Sequence, residues 1–206
     1  MNERKPAAAP RGVPGRKKMP IQTEECAMTY RYRLIGLTGT NGAGKGEAAA
    51  YLRTRGYDFV SLSDVIRDEL RAEGVPETRD ALIAKGNALR REFGPDILAR
   101  RILARIAGPT VIDSIRNPSE VGFLRCQDRF FLLALDAPAA ERFERVGKRG
   151  RDESASTPPA FAGKEDEEKS SDPSAQQLHT CLALADALII NDGTLEDLHR
   201  RLEEIL

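Results

Sequence analysis

Histidine and cysteine are scarce in this chain of 206 residues. Two histidines, His179 and His199, are too few for a histidine-built metal centre and leave little scope for histidine catalysis. Three cysteines, Cys26, Cys126 and Cys181, lie far apart and form no C-x-x-C pair. That excludes a disulfide framework and a zinc staple, and fits a reduced, cytoplasmic protein. No apolar run approaches the roughly 18 residues of a membrane span. The first residues lack the apolar core of a signal peptide. Net charge is also missing, with 32 Lys and Arg against 32 Asp and Glu. No global field therefore recruits nucleic acid or a membrane surface, and neither is expected as a partner. There is no internal repeat, and no G-x-G-x-x-G follows the first apolar run.

What is present divides the chain in two. Residues 1–29 hold four prolines, many alanines and the cluster Arg16-Lys17-Lys18, without apolar periodicity. This reads as a disordered basic arm ahead of one domain at 30–206. Removing residues 1–27 is expected to leave kcat within about twofold and the melting temperature within about 2 °C. A larger fall in either, measured by turnover and thermal melting, would mean that the arm docks on the domain.

Beyond the arm, strands alternate with helices. Strands are expected at 32–38, 57–61, 110–113, 130–136 and 187–191. Helices are expected at 44–55, 63–73, 78–92, 95–107, 118–126, 138–147, 174–185 and 194–206. Residues 149–172 lose apolar content and read as a loop or lid. Strands separated by helices imply an α/β fold with a parallel, five-stranded sheet flanked by helices in three layers. Ligands of such folds bind at the carboxyl ends of the strands.

The strongest signal is Gly39-Thr40-Asn41-Gly42-Ala43-Gly44-Lys45, set between the first strand and an alanine-rich helix. The spacing G-x-x-x-x-G-K in that context is a P-loop. Its glycines let backbone N–H groups converge on phosphates, and the helix N-terminus and Lys45 add positive charge. Gly39 to Glu47 is thus the expected ATP-binding segment: Gly39, Thr40, Asn41, Gly42, Ala43, Gly44, Lys45, Gly46 and Glu47. The lysine is followed by Gly46 and Glu47, where most P-loops have a Ser or Thr that ligates Mg²⁺. The metal is therefore expected among phosphate oxygens, water and a carboxylate elsewhere. Asp113, ending the apolar strand Thr110-Val111-Ile112, is the candidate; an ordinary strand terminator is the alternative.

The G-K-G form resembles the P-loop of adenylate kinase and its nucleoside monophosphate kinase relatives. Ser61-Leu62-Ser63-Asp64-Val65-Ile66-Arg67 resembles their segment Ser-Thr-Gly-Asp-x-Leu-Arg, matching at Asp64, Ile66 and Arg67. Asp113-Ser114-Ile115-Arg116-Asn117-Pro118 is similar to the motif of dephospho-CoA-kinase-related proteins and phage-type deoxynucleoside monophosphate kinases. The resemblance covers about residues 32–206. It implies that Arg67 and Arg116 hold the acceptor phosphate. It also implies that Arg145, Arg149 and Arg151, at the base of the lid, clamp the transferring phosphoryl group, and that Gly193, in Asn191-Asp192-Gly193-Thr194, passes beside the adenine. Bland readings remain beside these: a solvated basic helix end for the lid arginines, and a helix cap for Thr194. Asn87 and Arg90 face either the acceptor or solvent.

The expected activity is transfer of the ATP γ-phosphoryl group to a small nucleotide, a (deoxy)nucleoside 5′-monophosphate, with ATP and Mg²⁺ as cofactors. The catalytic set is Lys45, Arg116, Arg145, Arg149 and Arg151. Substrate contacts fall to Asp64, Arg67, Asn87, Arg90 and Arg116. One alternative is a dephospho-CoA kinase, with Asp64 as base for a hydroxyl acceptor. Another is a nucleotide-binding regulatory module with little turnover. Base, sugar and oligomeric state stay open.

Overall fold

A computed structural model describes residues 30–148, 157–167 and 170–206. The arm at 1–29, Arg149 and Arg151 lie outside them. Five parallel strands form one sheet in the order β2-β3-β1-β4-β5: β1 Leu34–Gly39, β2 Asp58–Ser61, β3 Thr110–Asp113, β4 Phe130–Asp136 and β5 Ala187–Ile190. All pairings are parallel, with Gly39 beside Leu135 and Ser61 beside Asp113. The expected three-layer α/β fold is thus the one observed. β1, β3 and β4 read as continuous apolar runs because both faces are covered. Ile35, Leu37, Val111, Leu133 and Leu135 pack under α1 (Lys45–Thr54) and α9 (Leu195–Ile205). Leu34, Ile112 and Leu132 pack on the other face, under α2 (Leu62–Ala72), α3 (Arg79–Phe93), α4 (Ile97–Leu103), α5 (Pro118–Arg125) and α8 (Leu178–Ala183).

β1 sits between β3 and β4, so the chain leaves it towards both sheet edges. That makes the P-loop end of β1 the crevice at which doubly wound sheets bind ligands. β3 and β2 flank it on one side, β4 and β5 on the other.

Three segments differ from expectation for local reasons. α4 ends at Leu103 rather than 107; Arg105 and Ile106 donate to Ile102 and Leu103, tightening the last turn to i+3 spacing. α8 begins at Leu178 rather than 174. The carbonyls of Pro173 and Ala175 accept from Asn117 Nδ2, and the N–H of Gln177 goes to Arg116, so helical bonding starts later. Within the expected loop, residues 158–167 form a helix, α7 (Pro158–Glu167), joined to α6 (Ala139–Lys148). Phe161 is buried and packs edge-on against Phe143, while Arg142 pairs with Glu165. One aromatic residue and one ion pair thus anchor a segment whose composition suggested no anchor.

Among the described residues no helix is long and apolar enough to cross a membrane. Cys181 is buried in the core, and burial pushes its thiol up to about 12, so it carries no thiolate at neutral pH.

Candidate nucleotide-binding site

The loop between β1 and α1 is built by close backbone approach. Gly44 caps α1 in the left-handed region, φ 102°. A Cβ there would lie 2.3 Å from Asn191 Nδ2, which instead donates to Ala43 O at 2.9 Å. Gly42, φ 81°, lets α6 approach, since a Cβ would meet Arg142 O at 2.7 Å. The loop is thereby clamped to α6 and to the end of β5. Thr40 Oγ1 adds a third tie, donating to Asp136 at the end of β4 at 2.6 Å. Asp136 escaped the sequence reading, although it ends an apolar strand just as Asp113 does. Lys45 Nζ folds back over the loop and donates to Gly39 O and Thr40 O, each at 2.7 Å. Its ammonium therefore stands over the concavity where backbone N–H groups and the helix dipole favour an anion.

One cavity of about 580 Å³ opens from this loop. That is room enough for nucleotide-sized ligands. From the P-loop it is lined by Asn41, Gly42, Gly44, Lys45, Gly46 and Glu47. It also takes in Asp113, Arg116, Asp64, Arg67 and Arg90, the expected metal ligand and most of the expected acceptor residues. The cavity runs from β1 past β3 to β2, since Arg116 follows β3 and Arg67 stands on α2, which follows β2. Three chain segments with separate sequence signals thus meet in one cleft. Gly39, Thr40, Ala43, Asn87, Arg145 and Gly193 do not line it.

Each acceptor-side residue has a distinct local cause. Ser61 is the N-cap of α2, and Asp64 completes a capping box by accepting from Ser61 N at 3.2 Å. Asp64 Oδ1 also accepts from Arg67 Nη1 at 3.1 Å, so both its oxygens are engaged. Ser114 turns the chain out of β3 with φ 65°, a conformation that costs a non-glycine residue about 1 kcal/mol or more. Ser114 Oγ lies 3.0 Å from Ser61 Oγ. The carbonyl of Ile115 accepts from Thr38 Oγ1 at 2.9 Å. These ties fix the turn that carries Arg116. Its guanidinium donates to Gln176 at 3.2 Å. Ser61 and Ser114, from the two motif segments, line the cavity as well, and so do Arg79 and Gln176, which carried no motif signal.

Asp113 passes a test of fit for a divalent cation. Its Oδ1 is buried and has no hydrogen-bond partner among the described residues, in the same cavity as Lys45 and Glu47. A buried carboxylate oxygen without a donor is the acceptor that a hydrated cation needs. Among the described residues no group of three His, Cys, Asp or Glu is gathered to hold a metal.

Arg90 lines the cavity but is not exposed. It is 3% exposed and is paired with the fully buried Glu120, while one Nη atom reaches Asn87 at 3.4 Å. Arg145 bonds the carbonyl of Asn191 at 3.0 and 3.1 Å and pairs with Glu141. Gly193 sits against Asp197 in the Thr194 cap of α9.

Comparison with known proteins agrees with this architecture. The family described as AAA domain, a P-loop NTPase domain, matches residues 35–172. A UPF0200 protein of Pyrococcus horikoshii is 31% identical over 182 residues, covering 84% of this chain and 95% of its own. A UPF0200 protein of Thermoplasma acidophilum is 31% identical over 176 residues, covering 84% and 94%. Among solved structures, TT1252 from Thermus thermophilus superposes with TM-score 0.54 at 25% identity, covering 84% of this chain and 95% of that one. Shikimate kinase from Bacteroides thetaiotaomicron superposes with TM-score 0.58 at 18% identity, covering 84% and 97%. The fold is that of P-loop kinases.

Proposed function

Because the chain belongs to the AAA domain family and to the UPF0200 family, we propose that it is an ATP-dependent phosphotransferase acting on a small nucleotide. The acceptor in this reading is a (deoxy)nucleoside 5′-monophosphate. The observation that carries it is the single cavity shared by the P-loop with Lys45 and by Arg67 and Arg116. A cleft with a triphosphate cradle at one end and guanidinium groups at the other suits a donor and an acceptor that are both phosphorylated.

The chemistry then asks little of the protein beyond position and charge. An oxygen of the acceptor monophosphate bonds to the γ-phosphorus, the bond from phosphorus to the bridging oxygen breaks, and ADP leaves with that electron pair. The attacking oxygen is already anionic, so no general base is needed. Lys45 and the loop N–H groups hold the β- and γ-phosphates, and Arg67 and Arg116 hold the acceptor phosphate. Asp113 would hold Mg²⁺, which supplies charge neutralisation between the phosphate oxygens. In this reading Arg145, on α6, would turn from the Asn191 carbonyl to phosphate oxygens when both nucleotides are bound; the other two arginines expected at the lid lie outside the described residues.

Shikimate kinase, the fold neighbour, is named for a non-nucleotide substrate. A hydroxyl acceptor would need a free carboxylate base, and Asp64 is committed to its cap and to Arg67. The test is ADP release from ATP-Mg²⁺ with a panel of nucleoside and deoxynucleoside monophosphates, dephospho-CoA and shikimate. Turnover with a monophosphate is expected. Turnover only with a hydroxyl acceptor would replace this reading. Tight ATP binding without any turnover would make the chain a nucleotide-binding regulatory module.

A further inference from the structure

Glu120 is fully buried, and all its acceptor capacity is used. Oε1 accepts from Arg90 Nε at 3.0 Å and from Nη2 at 2.8 Å. Oε2 accepts from the backbone N–H of Asn117 and from that of Arg116, each at 3.1 Å. The Asn117 bond belongs to the capping box that opens α5. The other three bonds exceed what a cap requires. Helix packing alone does not call for them either. Two charges removed from water cost more than a well-packed apolar pair holding α3 to α5 would. What the carboxylate adds is fixed geometry at Arg116, the residue just before the cap.

The opposite side of Arg116 is fixed too. Its carbonyl accepts from Gln177 N at 2.7 Å, and its guanidinium donates to Gln176. Asn117 is locked by the carbonyls of Pro173 and Ala175. Arg116 and Arg90 both line the cavity, on chain segments from opposite sides of Glu120.

We propose that Glu120 is a positioning residue for the acceptor end of the cavity: one buried carboxylate sets the backbone of Arg116 and the guanidinium of Arg90 so that they receive an anionic group together. The inference rests on the functional reading above, in which Arg116 holds the acceptor phosphate. A glutamine in its place presents an NH₂ group to donors on one side or the other, so one of the two arginines loses its fix. An aspartate keeps the charge but is one methylene too short to span Arg90 and both N–H groups.

The test uses the full-length protein as wild type, Glu120→Gln and Glu120→Asp. Two quantities are read: amide hydrogen exchange at residues 116 and 117, and KM for acceptor and for ATP separately. In Glu120→Gln, exchange at these amides is expected to rise about tenfold or more, as for loss of a hydrogen bond to a charged group. The acceptor KM is expected to rise by a similar factor, with the ATP KM within about twofold. If Glu120→Gln fails to fold, Glu120→Asp is expected to show the same split. Looser amides with both KM values unchanged would overturn the proposal, as would equal rises in both. If the wild type turns over no acceptor, the functional reading fails by itself. The exchange data then decide whether Glu120 fixes the loop, and unchanged amides overturn that too.

Discussion

Lys45→Ala is expected to lower kcat for ADP release by about 10²–10³-fold while the protein stays folded. Removing one preorganised donor from the place where charge develops typically costs that much. The fold should tolerate the change because the carbonyls that Lys45 reaches belong to its own loop. Its Nζ donates to two carbonyls of its own loop, Gly39 and Thr40. Net loss of such bonds costs about 1 kcal/mol each, and near this chain length each kcal/mol lowers the melting temperature by about 2–4 °C. The loop itself is held by other ties, Asn191 to Ala43 and Thr40 to Asp136, which the substitution leaves alone. Turnover and thermal melting on the same preparation check both halves. Unchanged ADP release in the variant would refute the kinase reading. A collapse of the melting transition would show that the lysine is structural.

The parts of the site that could be read in advance are those whose chemistry is local in sequence. The P-loop is contiguous, so Gly39 to Lys45 announce a strand, a turn and a helix together. Asp113 and Arg116 stand within one turn of a strand end, again a local signature. Strand positions were legible because both faces of β1, β3 and β4 are buried, which leaves uninterrupted apolar runs. What escaped was set by tertiary contact. Asn117 delays the start of α8 by taking carbonyls some 56 and 58 residues away, and nothing in the sequence of 174–177 says so. From the sequence, Arg90 faced either the acceptor or solvent. Its burial depends on Glu120, 30 residues on. Half of that pairing is local in sequence and was passed over: Asn117-Pro118-Ser119-Glu120 is a capping box with proline at the first helical position. The sequence shows such a box but not the second pair of donors it recruits. Gln176 is a similar case, since an uncharged side chain in a loop gains meaning only when Arg116 is found against it.

Arg116→Ala is expected to raise the acceptor KM about 10–100-fold, lower kcat, or both, and to change ATP affinity little. The sheet order supplies the reason. Outward from the P-loop strand β1, β3 comes first and β2 last, so Arg116 stands between the triphosphate cradle and Arg67. In the proposed reading a guanidinium there would reach the acceptor phosphate. Loss of one charge-assisted contact weakens binding by about 1.5–3 kcal/mol, which corresponds to that fold-change. The effect is separable from stability. The backbone of Arg116, with its bonds to Glu120 and Gln177, survives replacement of the side chain by alanine. Arg116→Lys sharpens the test. Lysine keeps the positive charge but not the planar fork, so it should restore only part of the lost acceptor binding if two phosphate oxygens are held at once. Steady-state kinetics with each substrate varied in turn, and ATP titration without acceptor, read the two ends apart. If ATP binding weakens and the acceptor KM holds, then Arg116 serves the donor phosphates, and the acceptor end must be built on Arg67 and Arg90.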